Sequence, residues 1–341
     1  MPFCKVADPQ TNPDGACKNG TEIFYRTYGH GPTKVLLIIG LAGTHDSWGP
    51  QIKGLTGSDR PTDDDQLRIF DQNSREEGDT EMGGGIEVCA FDNRDKNNGK
   101  DAIALLDHLG WQKAHVFGHS MAVMMRAMIA CKLAAMVPDR VLSLALLNVT
   151  GGGFECFPKL DRQTVSIAIR FLKAKTPEQR AAVDLDTHYT KEYVKGISST
   201  GMQSNYGFEG QINACWTHKM TQMEIEVIRS AGFLVSVIHG RHDIIAQIYY
   251  AKRLAEKLQP VARMIDLHGG HLVSHERTKE VNQALHELIK ASELKVSPHD
   301  WTNLPQKKSG ILRPWKRDFF EHHFPLSQTK TPEEFGKGME L

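Results

Sequence analysis

Short, unbroken apolar runs alternate along the chain with stretches in which apolar residues recur every three or four positions. Residues 23–28, 35–39, 88–91, 114–117 and 142–148 are runs of the first kind, and 234–239 and 263–267 repeat the pattern near the end. Runs this short and this apolar predict strands buried on both faces. Ala102, Leu105, Leu106 and Leu109 instead fall at i, i+3, i+4 and i+7, which predicts a helix with Asp101 as its N-cap and Gly110 closing it. Ala251, Leu254 and Leu258 mark a second helix, and Val281, Ala284, Leu285 and Leu288 a third. Strand and helix in alternation predict an α/β fold: a mainly parallel central sheet with helices on both faces.

The alternation breaks between residues 151 and 230, which read as helical. Val165, Ala168, Ile169 and Leu172 share one helical face, while Thr176, Pro177 and Gln179 supply an N-cap, a first-turn proline and a capping-box partner. The expected organisation is a lead-in loop over 1–20, a core over 21–150 and 231–295, the helical segment 151–230 between them, and a poorly ordered tail over 296–341. Residues 54–85 are a surface insertion rich in acid, including Asp63, Asp64, Asp65, Glu76, Glu77 and Asp79. These acids do not take alternating positions with a closing glutamate, so a calcium loop is excluded.

Composition narrows the choice of partner. The 341 residues are 40% hydrophobic and 24% charged, enough for one large core, and 41 basic residues cancel 41 acidic ones. No net field favours nucleic acid or an anionic membrane. The tail interleaves Lys307, Lys308, Arg313, Lys316 and Arg317 with Ile311, Leu312, Trp315, Phe319 and Phe320, but Pro305, Pro314 and Pro325 interrupt any long amphipathic helix. It is read as solvated, not as a membrane-surface segment. The longest apolar run, 35–42, is too short to cross a bilayer, and the first 15 residues have no apolar core of signal-peptide length. Six scattered cysteines show no zinc spacing, so no metal and no cofactor are expected, and a reducing compartment, most simply the cytosol, is.

The chemistry centres on residues 114–122, AHVFGHSMA: an apolar strand, then Gly118, His119, Ser120, Met121 and Ala122, then an apolar helical run. Small residues flank the serine in a nucleophile elbow because its backbone is strained and the helix passes close to the strand. A serine that merely caps a helix is the alternative. With FDNR at 91–94, HGRHD at 239–243 and HGGH at 268–271, the pattern resembles the α/β-hydrolase superfamily, and within it plant soluble α/β hydrolases, over residues 20–292.

That resemblance implies an α/β-hydrolase fold with a small helical cap over 151–230, and a triad of Ser120, Asp243 and His271 in the family's order. It also implies an oxyanion hole made by the amides of Met121 and of Leu41, with Ala42 as the alternative to Leu41. Asp266 is the reserve acid, and His268 and His275 compete with His271. Gly269 and Gly270 favour His271 by freeing its loop to bend back. Tyr206, Phe208, Trp216 and His218 are candidates for substrate contact or for cap core.

Four departures accompany the likeness. Ile39-Gly40 stands where His-Gly is usual, Ala122 stands where glycine is usual, and the loop after Arg94 is short. The span from Ser120 to Pro138 is about four residues long in excess, one helical turn. The expected activity is that of a serine hydrolase cleaving a small or medium, largely apolar carboxylic ester or thioester through an acyl-enzyme on Ser120. A ligand receptor on the same fold and a catalytically weakened variant are the alternatives. An epoxide hydrolase is disfavoured, since it needs aspartate at position 120.

Overall fold

The computed structural model describes residues 2–6, 21–40, 43–62, 85–93, 99–119, 127–156, 158–191 and 220–304. Among these, eight strands form one sheet: β1 (Phe3–Val6), β2 (Thr21–Tyr28), β3 (Thr33–Ile38), β4 (Ile86–Phe91), β5 (Ala114–His119), β6 (Val141–Leu147), β7 (Leu234–Gly240) and β8 (Ala262–Leu267). Their order is β1-β2-β4-β3-β5-β6-β7-β8. The pairs β1 with β2 and β2 with β4 are antiparallel, and every later pair is parallel.

The helices are α1 (Gly49–Thr56), α2 (Lys100–His108), α3 (Ala127–Met136), α4 (Arg162–Lys173), α5 (Pro177–His188), α6 (Gln222–Ser230), α7 (Ile248–Lys257), α8 (Val273–Glu276), α9 (Thr278–Glu293) and α10 (Pro298–Asn303).

The continuous apolar runs follow from a sheet covered on both faces. Leu36 and Ile38 pack with Cys89, Phe91 and Val116 on one side, beneath Leu105, Leu133, Ile228 and Leu254 of α2, α3, α6 and α7. Val35 and Leu37 pack with Val88, Ala90 and Phe117 on the other, beneath Ile52 of α1, Leu285 of α9 and Trp301 of α10. Each large side chain buried this way contributes roughly 1.5–3 kcal/mol of hydrophobic stabilisation. The expected sheet, mainly parallel and helix-covered on both faces, is the one the chain forms.

Several local expectations are corrected. Residues 3–6 lie within the expected lead-in loop but form β1, with Cys4 and Val6 buried and Phe3 and Lys5 exposed. The ordered chain also continues past residue 295: Trp301 is fully buried and its Nε1 donates to Val235 O at 2.9 Å, so α10 belongs to the core. Asp101 is not the N-cap of α2; Gly99, at φ 83°, takes that place, and Asp101 is buried in the first turn. The capping box of α5 forms as expected between Thr176 and Gln179. Val165, Ile169 and Leu172 of α4 are exposed. Residues 63–84 of the acidic insertion and the tail from 305 lie outside the described residues. Among the described residues no helix is long and apolar enough to cross a membrane.

Candidate active site

Parallel pairing of β5, β6, β7 and β8 brings their C-terminal ends to one edge of the sheet, where α/β folds place their sites. His119 ends β5, Asn148 follows β6, Asp243 follows β7 and His271 follows β8. After β7 the chain is pinned to the end of β8 by Arg241 N donating to Leu267 O at 2.7 Å and His242 N to Gly269 O at 2.9 Å. Asp243 then accepts the amides of Ile245 and Ala246 on Oδ1, each at 2.8 Å. Its other oxygen is left to the site: Oδ2 accepts from His271 Nδ1 at 2.7 Å and from Asn148 Nδ2 at 2.7 Å.

Burial by itself would raise the Asp243 carboxyl, but the neighbouring His271 and these hydrogen bonds outweigh it and hold the group at about 2. The carboxylate therefore fixes the proton of His271 on Nδ1 and leaves Nε2 as the acceptor. His239 comes within 3.6 Å of Oδ2, yet its Nε2 donates to Ala246 O at 2.8 Å, so it contributes field and not a bond to the acid.

His271 is buried between two other imidazoles. His119 lies 6.1 Å away and His188, the last residue of α5, 5.7 Å away between ring centroids, both edge to face. Trp48 packs edge-on against His119 at 5.7 Å between ring centroids. Burial, then the nearby His271, keeps His119 neutral far below the usual histidine range and lowers His188 to about 4.

Gly269 and Gly270 serve a purpose other than the expected one. Neither has positive φ. Close approach is what requires glycine here: a Cβ on Gly240 would lie 2.1 Å from Gly270 O, and one on Gly270 would lie 2.9 Å from His188 O. The FDN stretch after β4 has a matching structural role. Asp92 Oδ1 accepts from His45 N at 2.8 Å and from His45 Nδ1 at 3.0 Å, and Asn93 Nδ2 donates to Ile39 O. The two residues thus hold both sides of the loop that follows β3.

The competing candidates have other work. Asp266 pairs with Arg241 at 3.0 Å and Lys252 at 3.2 Å. His268 packs against His242 and meets Arg277. His275 spans Tyr189 Oη at 2.9 Å and Ser47 O at 2.8 Å. No three His, Cys, Asp or Glu side chains among the described residues are grouped to hold a metal ion.

Ser120, Met121, Leu41 and Ala42 lie outside the described residues, as do Tyr206, Phe208, Trp216 and His218. So do residues 94–98 and 120–126, which carry the short loop and the start of the long helical span. Sequence reasoning missed Asn148 and His188. A polar residue closing the apolar run 142–148 was the available signal for Asn148; nothing local marked His188.

The family described as alpha/beta hydrolase fold matches residues 28–278. No curated protein matches the sequence. Among solved structures, a hydrolase from Pseudomonas aeruginosa is 18% identical, with 84% of this chain and 98% of that one covered and a TM-score of 0.59. An enol-lactonase from Burkholderia xenovorans is 19% identical, covering 81% and 99% with a TM-score of 0.57. A thermophilic esterase from Thermogutta terrifontis is 17% identical, covering 86% and 99% with a TM-score of 0.54. With its family matched over more than half its length and its sheet ordered as above, the chain belongs to the α/β hydrolase fold family.

Proposed function

We propose that the chain is a serine hydrolase that cleaves a small or medium, largely apolar carboxylic ester or thioester through an acyl-enzyme on Ser120. The observation that carries this reading is the buried Asp243–His271 pair at 2.7 Å, beside the strand whose next residue in the chain is Ser120. In the reaction His271 Nε2 removes the Ser120 Oγ proton as Oγ attacks the carbonyl carbon, and the amides of Leu41 and Met121 hold the oxyanion. Collapse breaks the ester or thioester bond, and His271 returns the proton to the leaving alkoxide or thiolate. Water then attacks the acyl-enzyme with the same base, releasing the acid and restoring Ser120.

The neutral rings around His271 support an uncharged substrate, since His119 and His188 offer no fixed charge to an ionised one. Residues 151–230 are read as the cap over the site. Two structural neighbours named an enol-lactonase and an esterase support a carboxylic ester in particular.

A fluorophosphonate probe tests the reading. It is expected to label Ser120, to fail with Ser120→Ala, and to slow by orders of magnitude with His271→Ala. A folded chain that takes up no probe at any pH would overturn the proposal in favour of a ligand receptor or a weakened variant.

A further inference from the structure

We infer that His188 is a specificity-determining residue, its Nε2 accepting a hydrogen bond from a hydroxyl on the acyl part of the substrate; this rests on the serine-hydrolase reading above. Its position is the first reason. His188 O accepts from Leu272 N at 2.9 Å, beside His271 in the chain. Glu276 ties the same two segments: Oε1 accepts from Gly270 N at 2.8 Å and Thr190 N at 3.1 Å, and Oε2 from Thr190 Oγ1 at 2.5 Å. Tyr189 Oη meets His275 Nδ1 at 2.9 Å. The three residues 188–190 are thus bound to the loop and helix that carry His271, and the His188 ring is held 5.7 Å from the His271 ring.

Its chemistry is the second. His188 Nδ1 lies 2.8 Å from Asp184 O of its own helix, so Nδ1 carries the proton and donates. Nε2 on the far side of the ring is then a bare lone pair. Among the described residues no group donates to it, although the residue keeps partial access to solvent. Burial and the neighbouring His271 keep the ring uncharged over the neutral range, so it cannot serve as a cation for a carboxylate or phosphate. A neutral acceptor in a site that binds uncharged esters selects a donor, and a hydroxyl near the scissile carbonyl is the simplest one.

The experiment compares p-nitrophenyl butyrate with p-nitrophenyl 3-hydroxybutyrate, as the ratio of kcat/KM for the hydroxylated ester to that for the plain one. His188→Phe keeps a ring and removes the acceptor, while His188→Gln restores an acceptor. The ratio is expected to favour the hydroxylated ester in the natural chain, to fall about tenfold in His188→Phe and to recover in part in His188→Gln. Should His188→Phe not fold, His188→Leu makes the same comparison. An unchanged ratio, or equal losses on both esters as from a structural role, overturns the assignment while leaving the hydrolase reading standing. A natural chain that cleaves neither ester and takes no fluorophosphonate overturns both.

Discussion

Asn148 shows how much one side chain can settle. Its Nδ2 donates to Asp243 Oδ2 at 2.7 Å and to Gly270 O at 3.2 Å, joining the acid to the loop of its histidine. Its backbone sits at φ 53°, a conformation asparagine tolerates better than most residues. Two costs therefore meet at this position and can be separated. Asn148→Ala removes the hydrogen bonds to a buried carboxylate and places a Cβ residue with no local compensation in left-handed backbone, and is expected to cost about 2–4 kcal/mol in urea unfolding. Asn148→Gly relieves the backbone part and is expected to recover about 1 kcal/mol of it. Neither replaces the side chain, so kcat for the ester cleavage proposed above is expected to fall about tenfold or more in both. Recovery of kcat in Asn148→Gly would place the whole effect in the backbone.

At the level of elements, the turn after β8 is set by what it must pass. A Cβ on Gly270 would meet His188 O at 2.9 Å and Glu276 Oε1 at 3.0 Å, whereas one on Gly269 would meet Val273 Cγ2 at 2.9 Å. The first contact is with backbone and a carboxylate already carrying three hydrogen bonds; the second is with a single methyl of Val273. Gly270→Ala is therefore expected to lower kcat/KM about 10- to 100-fold and Gly269→Ala less than tenfold, measured on one ester at one pH. The glycine pair was visible in the sequence, but the reason for it was not, because close approach is a property of two segments more than 80 residues apart in the chain, His188 and Gly270. The same limit hid His188, whose partner in space is His271. Strands β3, β5, β6 and β7 were legible because burial on both faces leaves an apolar run that needs no partner to recognise. β1 was not, since its alternation of Phe3, Cys4, Lys5 and Val6 spans only four residues. Helix α10 was equally hidden: six residues beginning at Pro298 give no periodicity, and its place in the core depends on Trp301 alone.

For the molecule as a whole, the neutral buried histidines make stability depend on pH above the range where carboxylates titrate. His115 and His188 are lowered to about 4, and His119, His239 and His275 are lowered as well, in every case chiefly by burial. In the unfolded chain each takes up a proton below about 6.5. Between that value and about 4 the unfolded state therefore binds more protons than the native one, and stability falls as pH falls. For His115 and His188, the two lowered to about 4, the loss from pH 7 to pH 5 is roughly 1–2 kcal/mol each. Asp243 adds a second loss lower down: its carboxyl is held at about 2 against about 4 when unfolded, so its contribution is complete above about pH 4 and disappears as pH falls through 2. His115 lets the first effect be measured away from the site. It is buried in β5, its Nδ1 pairs with Ser143 Oγ at 2.8 Å, and its Nε2 has no partner among the described residues. His115→Phe keeps the ring shape and removes the titration. Urea unfolding at pH 7 and pH 5 is expected to show a smaller pH-dependent loss in this variant, by roughly 1–2 kcal/mol, whatever the offset at pH 7. An identical loss in the two proteins would mean that His115 takes up its proton in the native state and the sheet yields around it.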